Sequence, residues 1–510
     1  MAILPEPTEV ATKDMEKDTP SGTQAIDENA DPIAYSTFTQ DQKRLITLLI
    51  GLAMLFSPLS ANIYLPCLPA LQLALHSTRQ LINLTITSYI VLQGIAPAFF
   101  GDLADGIGRR PVYLVTFAIY VAASLGLALQ NNYAALLTLR MLQSLGCSAT
   151  VAIGYGVIAD VVPPAQRGSM LGPAMVATNL GPSLGPLIGG LLTDRAGWRW
   201  VFWFLLVMGA AFLLALILFL PETSRKLVGN GSVEPTGWNR TLVSLFHSPR
   251  GRVTGRLPDK HFASRPTEKL TLPNPFHSLR LIFHKDTALV LSVSAIYYTV
   301  YYCVQASLPG IFVDVYGYNE LQIGLCYLAM GIGVVMGGYA NGKLLDKCYR
   351  ATAKRNGLSI DSVRGDDMHH FPIEQARAML AYPFMAICAI TVIGYGWVLE
   401  TRLNVSVPLI LQWCIGFIST CLVQTFNTLL VDIHSANSST AAASGNITRC
   451  ALSAGGVAAM QPLLHILSRG WYFTLVGCLS AIGGAINVYM IKSWGQRWRR
   501  ERERESTPES

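Results

Sequence analysis

Charge is what this chain has least of. Asp, Glu, Lys and Arg make up 14% of its 510 residues, against about 25% in a typical soluble domain. Hydrophobic residues make up 51% and the mean hydropathy is +0.39, so an ordinary water-soluble fold is excluded and a polytopic membrane protein is indicated. The 10 cysteines are scattered. Cys147, Cys303, Cys414 and Cys478 fall in apolar segments, which speaks against a disulfide framework or a zinc site. There is no Gly-x4-Gly-Lys-Ser/Thr run, so ATP-driven transport has no sign here. No nucleophile–base arrangement and no metal-ligand cluster stands out, so neither an enzyme nor a metal or cofactor is expected. No secretory signal peptide is expected, because the first long apolar run begins only near Leu45. Carboxylates are also missing from the middle of every apolar run: Asp160, Asp194, Asp286, Asp314, Glu320, Glu374, Glu400 and Asp432 all fall at ends.

What the chain does have is a series of apolar runs of about 20 residues, each enough to cross a bilayer. They lie near 43–66, 82–102, 111–130, 134–160, 167–192 and 199–221, then 287–314, 320–345, 374–399, 405–431, 439–465 and 470–493. The expected fold is all-α: twelve transmembrane helices in two six-helix bundles, over 43–221 and 287–493. The segment 1–42 reads as a disordered N-terminal tail, 222–286 as a linker and 494–510 as a C-terminal tail. Basic residues crowd alternate connections: Arg109 and Arg110, the linker, Lys343 to Arg355, and Arg497 to Arg504. By the positive-inside rule both tails and the linker are cytoplasmic. The net charge of +7 therefore speaks to topology, and nucleic acid is not an expected partner.

Several stretches stand out by their chemistry. After the second run comes Gly101-Asp102-Leu103-Ala104-Asp105-Gly106-Ile107-Gly108-Arg109-Arg110, too polar for lipid, with glycines that permit a tight turn. Asp105 is a candidate anion for a neighbouring helix N-terminus. Gly342 to Lys347, with Asp346, echoes this stretch after the second run of the second half. Leu430-Val431-Asp432 likewise echoes Ile158-Ala159-Asp160. The fourth run holds Arg140 and Gln143 on one face, an expensive place for a cation; the bland alternative is an arginine snorkelling to the interface. In the fifth run Gly181, Gly185 and Gly189 recur every four residues, a surface that lets another helix come close. Tyr298, Tyr301, Tyr302 and Gln305 follow the spacing of one helix face. Arg140 and Arg449 are the deep ionisable groups, and two arginines near a shared cavity would favour anions.

These stretches resemble the motifs of the major facilitator superfamily: its loop signature at Gly101 to Arg110, its arginine-x-x-glutamine at Arg140 to Gln143, and its antiporter signature at Gly181, Pro182, Gly185, Pro186, Gly189 and Gly190. Gly106 replaces a usual basic residue and Ser144 a usual glycine. With Ser60 to Pro69, Gln424 to His434 and Asn446 to Cys450, the chain is most similar to the fungal twelve-span drug:proton antiporters, the quinidine-resistance-like and organic-acid exporter group. The resemblance implies a secondary active exporter of small organic molecules, driven by the proton gradient and needing no cofactor. It implies a switch loop at Gly101, Asp105, Gly108, Arg109, Arg110 and Asp346, and proton coupling at Arg140, Gln143 and Asp160. The substrate cavity would draw on Asn62, Tyr64, Gln93, Tyr298, Tyr301, Tyr302, Gln305, Gln412, Asn427, Asn446 and Arg449. Its partners would be the lipid bilayer, a small-molecule substrate and protons, with the protein a monomer in a fungal plasma membrane. An importer on the same fold and a non-transporting sensor are the alternatives.

Overall fold

A computed structural model describes residues 36–162, 164–233, 237–241, 281–355, 372–434 and 438–506. Among the described residues every regular element is helical. Helix α1 (Gln40–Asn62) opens on a reciprocal capping box: Gln42 N donates to Thr39 Oγ1 at 3.3 Å and Thr39 N to Gln42 Oε1 at 3.0 Å. Two short turns, Leu65–Cys67 and Leu68–Ala74, follow it. Helix α2 (Arg79–Ile107) starts at a Thr78 cap and stops at Gly108, whose φ of 112° lets α3 (Arg109–Leu129) begin on the very next residue. Then come α4 (Tyr133–Val161), α5 (Pro164–Ala196) and α6 (Arg199–Phe219). The second half holds α7 (Lys285–Tyr316), α8 (Glu320–Arg355), α9 (Ile373–Glu400) and α10 (Ser406–Ile433). The last helical run, Ser438–Ser506, breaks at Ser468 (φ 59°, ψ 169°), which divides it into α11 (438–467) and α12 (469–506). Glu400 stabilises that break by accepting from the backbone N–H of Arg469 at 3.1 Å and of Gly470 at 3.3 Å, filling donors that a helix start leaves open.

Among the described residues ten stretches are long and apolar enough to cross a membrane, and one of them, Ala441–Arg502, carries the Ser468 break. The protein is thus a multi-pass membrane protein. Eleven of the twelve apolar runs read from the sequence coincide with these stretches to within a few residues, and the run at 167–192 lies in α5, which is not one of the ten; several helices continue past the apolar part. Helix α8 runs on to Arg355 and α12 to Ser506, so the tail expected from 494 begins as helix. Its alternating Arg and Glu support i,i+4 pairing, as in Arg497–Glu501 at 2.8 Å. Loss of hydrophobicity ends a membrane crossing without ending a helix. The linker expected from 222 likewise begins as packed structure, with Glu222, Thr223 and Val228 buried. Residues 234–236 and 242–280 of the linker, and residues 1–35 of the expected N-terminal tail, lie outside the described residues, while the expected linker's last residues, Lys285 and Asp286, already open α7.

Three close helix contacts organise the packing. Within the first half α5 lies along α1; between the halves α5 meets α8 and α2 meets α11. Glycine spacing on α5 explains the first pair of contacts. A Cβ at Gly181 would stand 2.8 Å from Leu59 N, and one at Gly185 3.0 Å from Ile63 N; one at Gly189 would run into Ile63 O. The adjoining Gly190 points another way, toward Glu320 O and Gly324 of α8. On the facing helix, a Cβ at Gly324 would stand 2.6 Å from Pro186 O, and one at Gly331 would strike Ser183. Lipid offers no hydrophobic drive between helices, so backbone-to-backbone approach of this kind supplies the van der Waals contact that does. Gly189→Ala should therefore lower the thermal midpoint of the detergent-solubilised protein by several degrees. Gly455→Ala, at a site with nothing within 4 Å, should leave it unchanged or slightly raised, since alanine suits a helix better. Equal midpoints for the two variants would show that α1 and α5 are not held at contact distance.

Candidate functional site

At one end of the molecule the Gly101–Arg110 stretch is tied down by charge. Arg109 bridges two carboxylates: its Nη2 lies 2.5 Å from Asp105 Oδ1 and its Nε 3.1 Å from Asp160 Oδ2. Gly156 of α4 leaves room for this, because a Cβ there would sit 2.5 Å from the Arg109 guanidinium carbon. Asp160 thus belongs to the loop rather than to Arg140, with which it was grouped on sequence grounds. Asp105 does not serve a helix N-terminus either; it stands on the last turns of α2, half exposed, and bonds Arg109. The anion at the α3 N-terminus is Glu222, which follows α6. Its carboxylate, 2% exposed, accepts from Arg109 N at 3.0 Å, Arg110 N at 3.2 Å, and Thr223 N and Ser224 N at 2.8 Å each. Arg110 completes the exchange at the other helix end. Its guanidinium donates to the α6 carbonyls Ile217 O (2.7 Å) and Leu220 O (3.1 Å), and to Arg240 O (2.8 Å). An anion at a helix start and a cation at a helix end each satisfy open backbone groups and the dipole. Gly108 is required twice, by its φ and because a Cβ would stand 2.5 Å from Glu222 Oε2. Gly101 has open space around its Cβ direction.

The second half repeats the arrangement with different residues. Arg377, at the start of α9, donates to Asp432 Oδ2 at 2.9 Å near the end of α10, as Arg109 does to Asp160. Asp346, the residue matched to Asp105 by sequence, is exposed, and no ion pair joins it among the described residues. Where Arg110 binds the end of α6, Glu374 on α9 takes Arg499 of α12 at 3.0 Å, both nearly inaccessible. Beside it Arg502 pairs with Asp286 and donates to Ile433 O at 3.2 Å. His434 Nε2 lies 2.7 Å from Thr287 Oγ1 and 3.4 Å from Arg502 Nη1. Arginine can only donate, so Nε2 accepts and the imidazole is neutral. Burial, reinforced by the Arg502 cation, pushes the His434 imidazole down to about 4.

Arg140 does not snorkel. It is 1% exposed and lies between two aromatic rings, its guanidinium 4.2 Å from the centre of Tyr64 and 4.3 Å from that of Tyr89. It donates to Gln143 Oε1 at 2.6 Å and reaches Ser60 O at 3.4 Å. No carboxylate pairs with it among the described residues. Two ring faces and two neutral oxygens hold a cation away from water, and desolvated cation–π contacts of this kind contribute about 2 kcal/mol or more. Its partners belong to α1, α2 and α4 or, in Tyr64, to the residues just after α1, so Arg140 lies inside the first half.

Arg449 is placed differently. On α11 it lies 5.1 Å from the ring centre of Tyr298 on α7 and donates to Asn446 Oδ1 at 3.1 Å. Asn446 Nδ2 crosses to the first half and donates to Gln93 O at 2.8 Å; Gln93 Nε2 in turn reaches Ser57 Oγ at 3.4 Å. Tyr155 of α4 is within electrostatic reach of Arg449. Tyr302 packs against Tyr298 with ring centres 4.8 Å apart and ring planes tilted by 50°. Gln93, Tyr298, Tyr302, Asn446 and Arg449 therefore form one cluster where the halves meet. Arg140 reaches this cluster only indirectly, through Tyr89 Oη, which donates to Ser57 O at 3.3 Å; among the described residues no bond or ring contact joins the two arginines to a common partner. The tyrosine face also divides. Gln305 donates to Tyr301 Oη at 2.8 Å and its backbone oxygen accepts from Tyr327 of α8 at 2.6 Å, inside the second half. Gln412, fully buried, donates to Tyr395 Oη at 3.2 Å, and Asn427 accepts from Ser294 at 3.1 Å. Asn62 is buried on α1 beside Gly185 and donates to Pro58 O at 2.7 Å. The Gln93 and Arg449 side chains each keep a buried polar atom, Oε1 and Nε, without a hydrogen bond.

The sequence pattern of the Major Facilitator Superfamily matches residues 50–460 of this chain. The chain belongs to that superfamily. It is a membrane transporter rather than an enzyme. Citrate exporter 1 of Aspergillus niger is 37% identical over 475 residues, which cover 92% of this transporter and 89% of that protein. The MFS-type transporter tstD of Talaromyces stipitatus is 36% identical over 476 residues, covering 93% and 85%. Solved structures share the fold. The Escherichia coli xylose transporter XylE in a partially occluded inward-open conformation matches with a TM-score of 0.59 at 14% identity, covering 88% of this chain and 97% of that one. The human organic anion transporter MFSD10 matches with 0.56 at 17%, covering 87% and 99%.

Residues that the sequence reading of this transporter missed are Glu222, Tyr89, Ser57, Arg377 and Arg502. Each acts on a residue far along the chain. Two tests follow from the geometry. Glu222→Gln removes the anion from the α3 start and should lower the thermal midpoint more than Asp105→Asn, whose pair is half exposed; the opposite ranking would return the role to Asp105. For His434, an unfolded imidazole takes up its proton near 6.5 and the folded one does so only near 4. Stability that is complete above pH 6.5 should fall progressively as pH drops toward 4. The midpoint of His434→Gln should decline less than that of the parent over this window, and parallel declines would refute the assignment.

Proposed function

We propose that this transporter exports small organic carboxylates in exchange for protons, by alternating access between two six-helix halves. In this reading α1 to α12 are twelve spans, both termini are cytoplasmic, and the protein acts as a monomer in a fungal plasma membrane. One observation carries the substrate class. Arg449 stands at the meeting of the halves with Tyr298 and Asn446 beside it, a buried Nε without an acceptor, and no carboxylate paired to it among the described residues. A guanidinium so placed suits a carboxylate, which can accept two parallel hydrogen bonds from it. The likeness to Citrate exporter 1 agrees with both direction and charge. Direction also rests on the complete antiporter signature from Gly181 to Gly190, and proton exchange on that signature together with Arg140 and Gln143.

Transport would move the Gln93–Asn446 contact, since it joins α2 to α11 across the halves. The Arg109 and Arg377 ion pairs lie each within one half and would travel with it as rigid corners. A flat neutral or cationic drug is the competing substrate, favoured by the adjoining Tyr298 and Tyr302 rings. Uptake of labelled citrate and of a cationic drug into proteoliposomes under an imposed proton gradient separates the two. Arg449→Gln should raise the KM for citrate by tenfold or more, consistent with loss of a charge-assisted bond, and Arg449→Lys should recover part of it. Citrate transport unaffected by Arg449→Gln, or drug transport with none of citrate by the parent, would overturn the reading.

A further inference from the structure

At the end of the molecule opposite the Arg109 loop lies a cavity of about 270 Å³, lined from both halves by residues that include Asn83, Ser307, Gly310, Gln461 and His465. Three charged side chains face it: Arg79 at the start of α2, Asp314 near the end of α7 and Arg469 at the start of α12. Arg79 grips Asp314 with two parallel bonds of 2.6 Å each, joining positions 235 residues apart. Arg469 comes only to 3.7 Å of the same carboxylate, too far for a hydrogen bond, and its guanidinium makes none among the described residues. The other carboxylate near it, Glu400, is committed to the backbone of Arg469 and Gly470. Two guanidinium groups thus share one carboxylate across a crevice with room for a further group. Polar side chains from Asn83, Ser307 and Gln461 line the same space. Its volume lies just under the range of about 300–1,000 Å³ for drug-sized ligands, which fits a small acid.

We propose that this cavity is a binding site for a small di- or tricarboxylate, separate from the Arg449 cluster. One ligand carboxylate takes the Arg469 guanidinium and a second displaces Asp314 from Arg79. Because the Arg79–Asp314 pair ties α2 to α7, binding and the tie between the halves are mutually exclusive. The ligand that occupies the mouth is then also what parts it. Nothing in this depends on Arg449 being a substrate residue.

The test is calorimetric titration of purified full-length protein with citrate, in the Arg449→Gln background so that the central cluster contributes least. Removing the internal competitor by Asp314→Asn should tighten citrate binding about tenfold. Arg469→Gln should weaken it at least tenfold, and Arg469→Lys should restore part of the loss. Should Asp314→Asn fail to give folded protein, the Arg469→Gln and Arg469→Lys pair decides alone, since Arg469 holds only the 3.7 Å contact. Citrate affinity that ignores both positions overturns the site. Citrate binding abolished by Arg449→Gln alone also overturns it and leaves the Arg449 reading standing. Binding that survives Arg449→Gln but is lost with Arg469→Gln supports the site even where the Arg449 reading fails.

Discussion

A cation held away from water must be met by something, and most of this structure follows from how each arginine is met. At the helix ends the answer is a carboxylate or a row of open carbonyls. Arg109 takes Asp105 and Asp160, Arg377 takes Asp432, Arg499 takes Glu374, and Arg110 takes the end of α6. Deeper in, where carboxylates are absent, the answers are softer. Arg140 has two tyrosine faces and an amide; Arg449 has one tyrosine and one amide. The ranking matters for function. A carboxylate-paired arginine is already satisfied and serves as a corner of the fold. An arginine met only by neutral groups retains affinity for an arriving anion, and of the two such residues only Arg449 stands where the halves meet.

The two halves answer the same problem with swapped signs. Around α3 the cation is Arg110 and the anion Glu222 comes from beyond α6; around α9 the anion is Glu374 and the cation Arg499 comes from the C-terminal part of α12. The geometry of the corner is shared while the charges are exchanged. Asp346, matched to Asp105 by position, is exposed and joins no ion pair among the described residues, whereas Asp105 bonds Arg109.

Much of this was legible in the sequence and some was not, for a definite reason. Periodicity and hydropathy locate the helices, because a bilayer demands long apolar runs. Local motifs locate Arg109, Arg140 and the α5 glycines, because their spacing of three or four residues is itself the geometry of a helix face. Pairing across the chain has no such local signature. Asp160 meets Arg109 over a separation of 51 residues and Glu222 over 113, and nothing near either residue announces it. The tyrosine face on α7 divides because the pairs Tyr298–Tyr302 and Tyr301–Gln305, offset by three residues, point about 60° apart, so Tyr298 and Tyr302 look to α11 while Tyr301 and Gln305 look to α8. Gly190 was legible as part of a motif but not as the residue that faces the opposite half.

That last glycine has a mechanical consequence. Helix α5 has 33 residues, so it is about 50 Å long at 1.5 Å per residue. Where it lies bare against α8, at Gly190, Gly324, Ser183 and Gly331, the backbones are too close for side chains to act as cushions. A line of contact like this behaves as a fulcrum rather than a spring. The contact lies nearer the Ala196 end, with arms of about 34 Å toward Pro164 and about 14 Å toward Ala196, so a tilt of about 8° displaces the first end by about 5 Å and the second by about 2 Å. That displacement is comparable to a hydrogen-bond length, enough to part the two 2.6 Å bonds between Arg79 and Asp314. Leverage of this size needs no bending of any helix, only small residues at the pivot and brittle, short-range bonds at the rim.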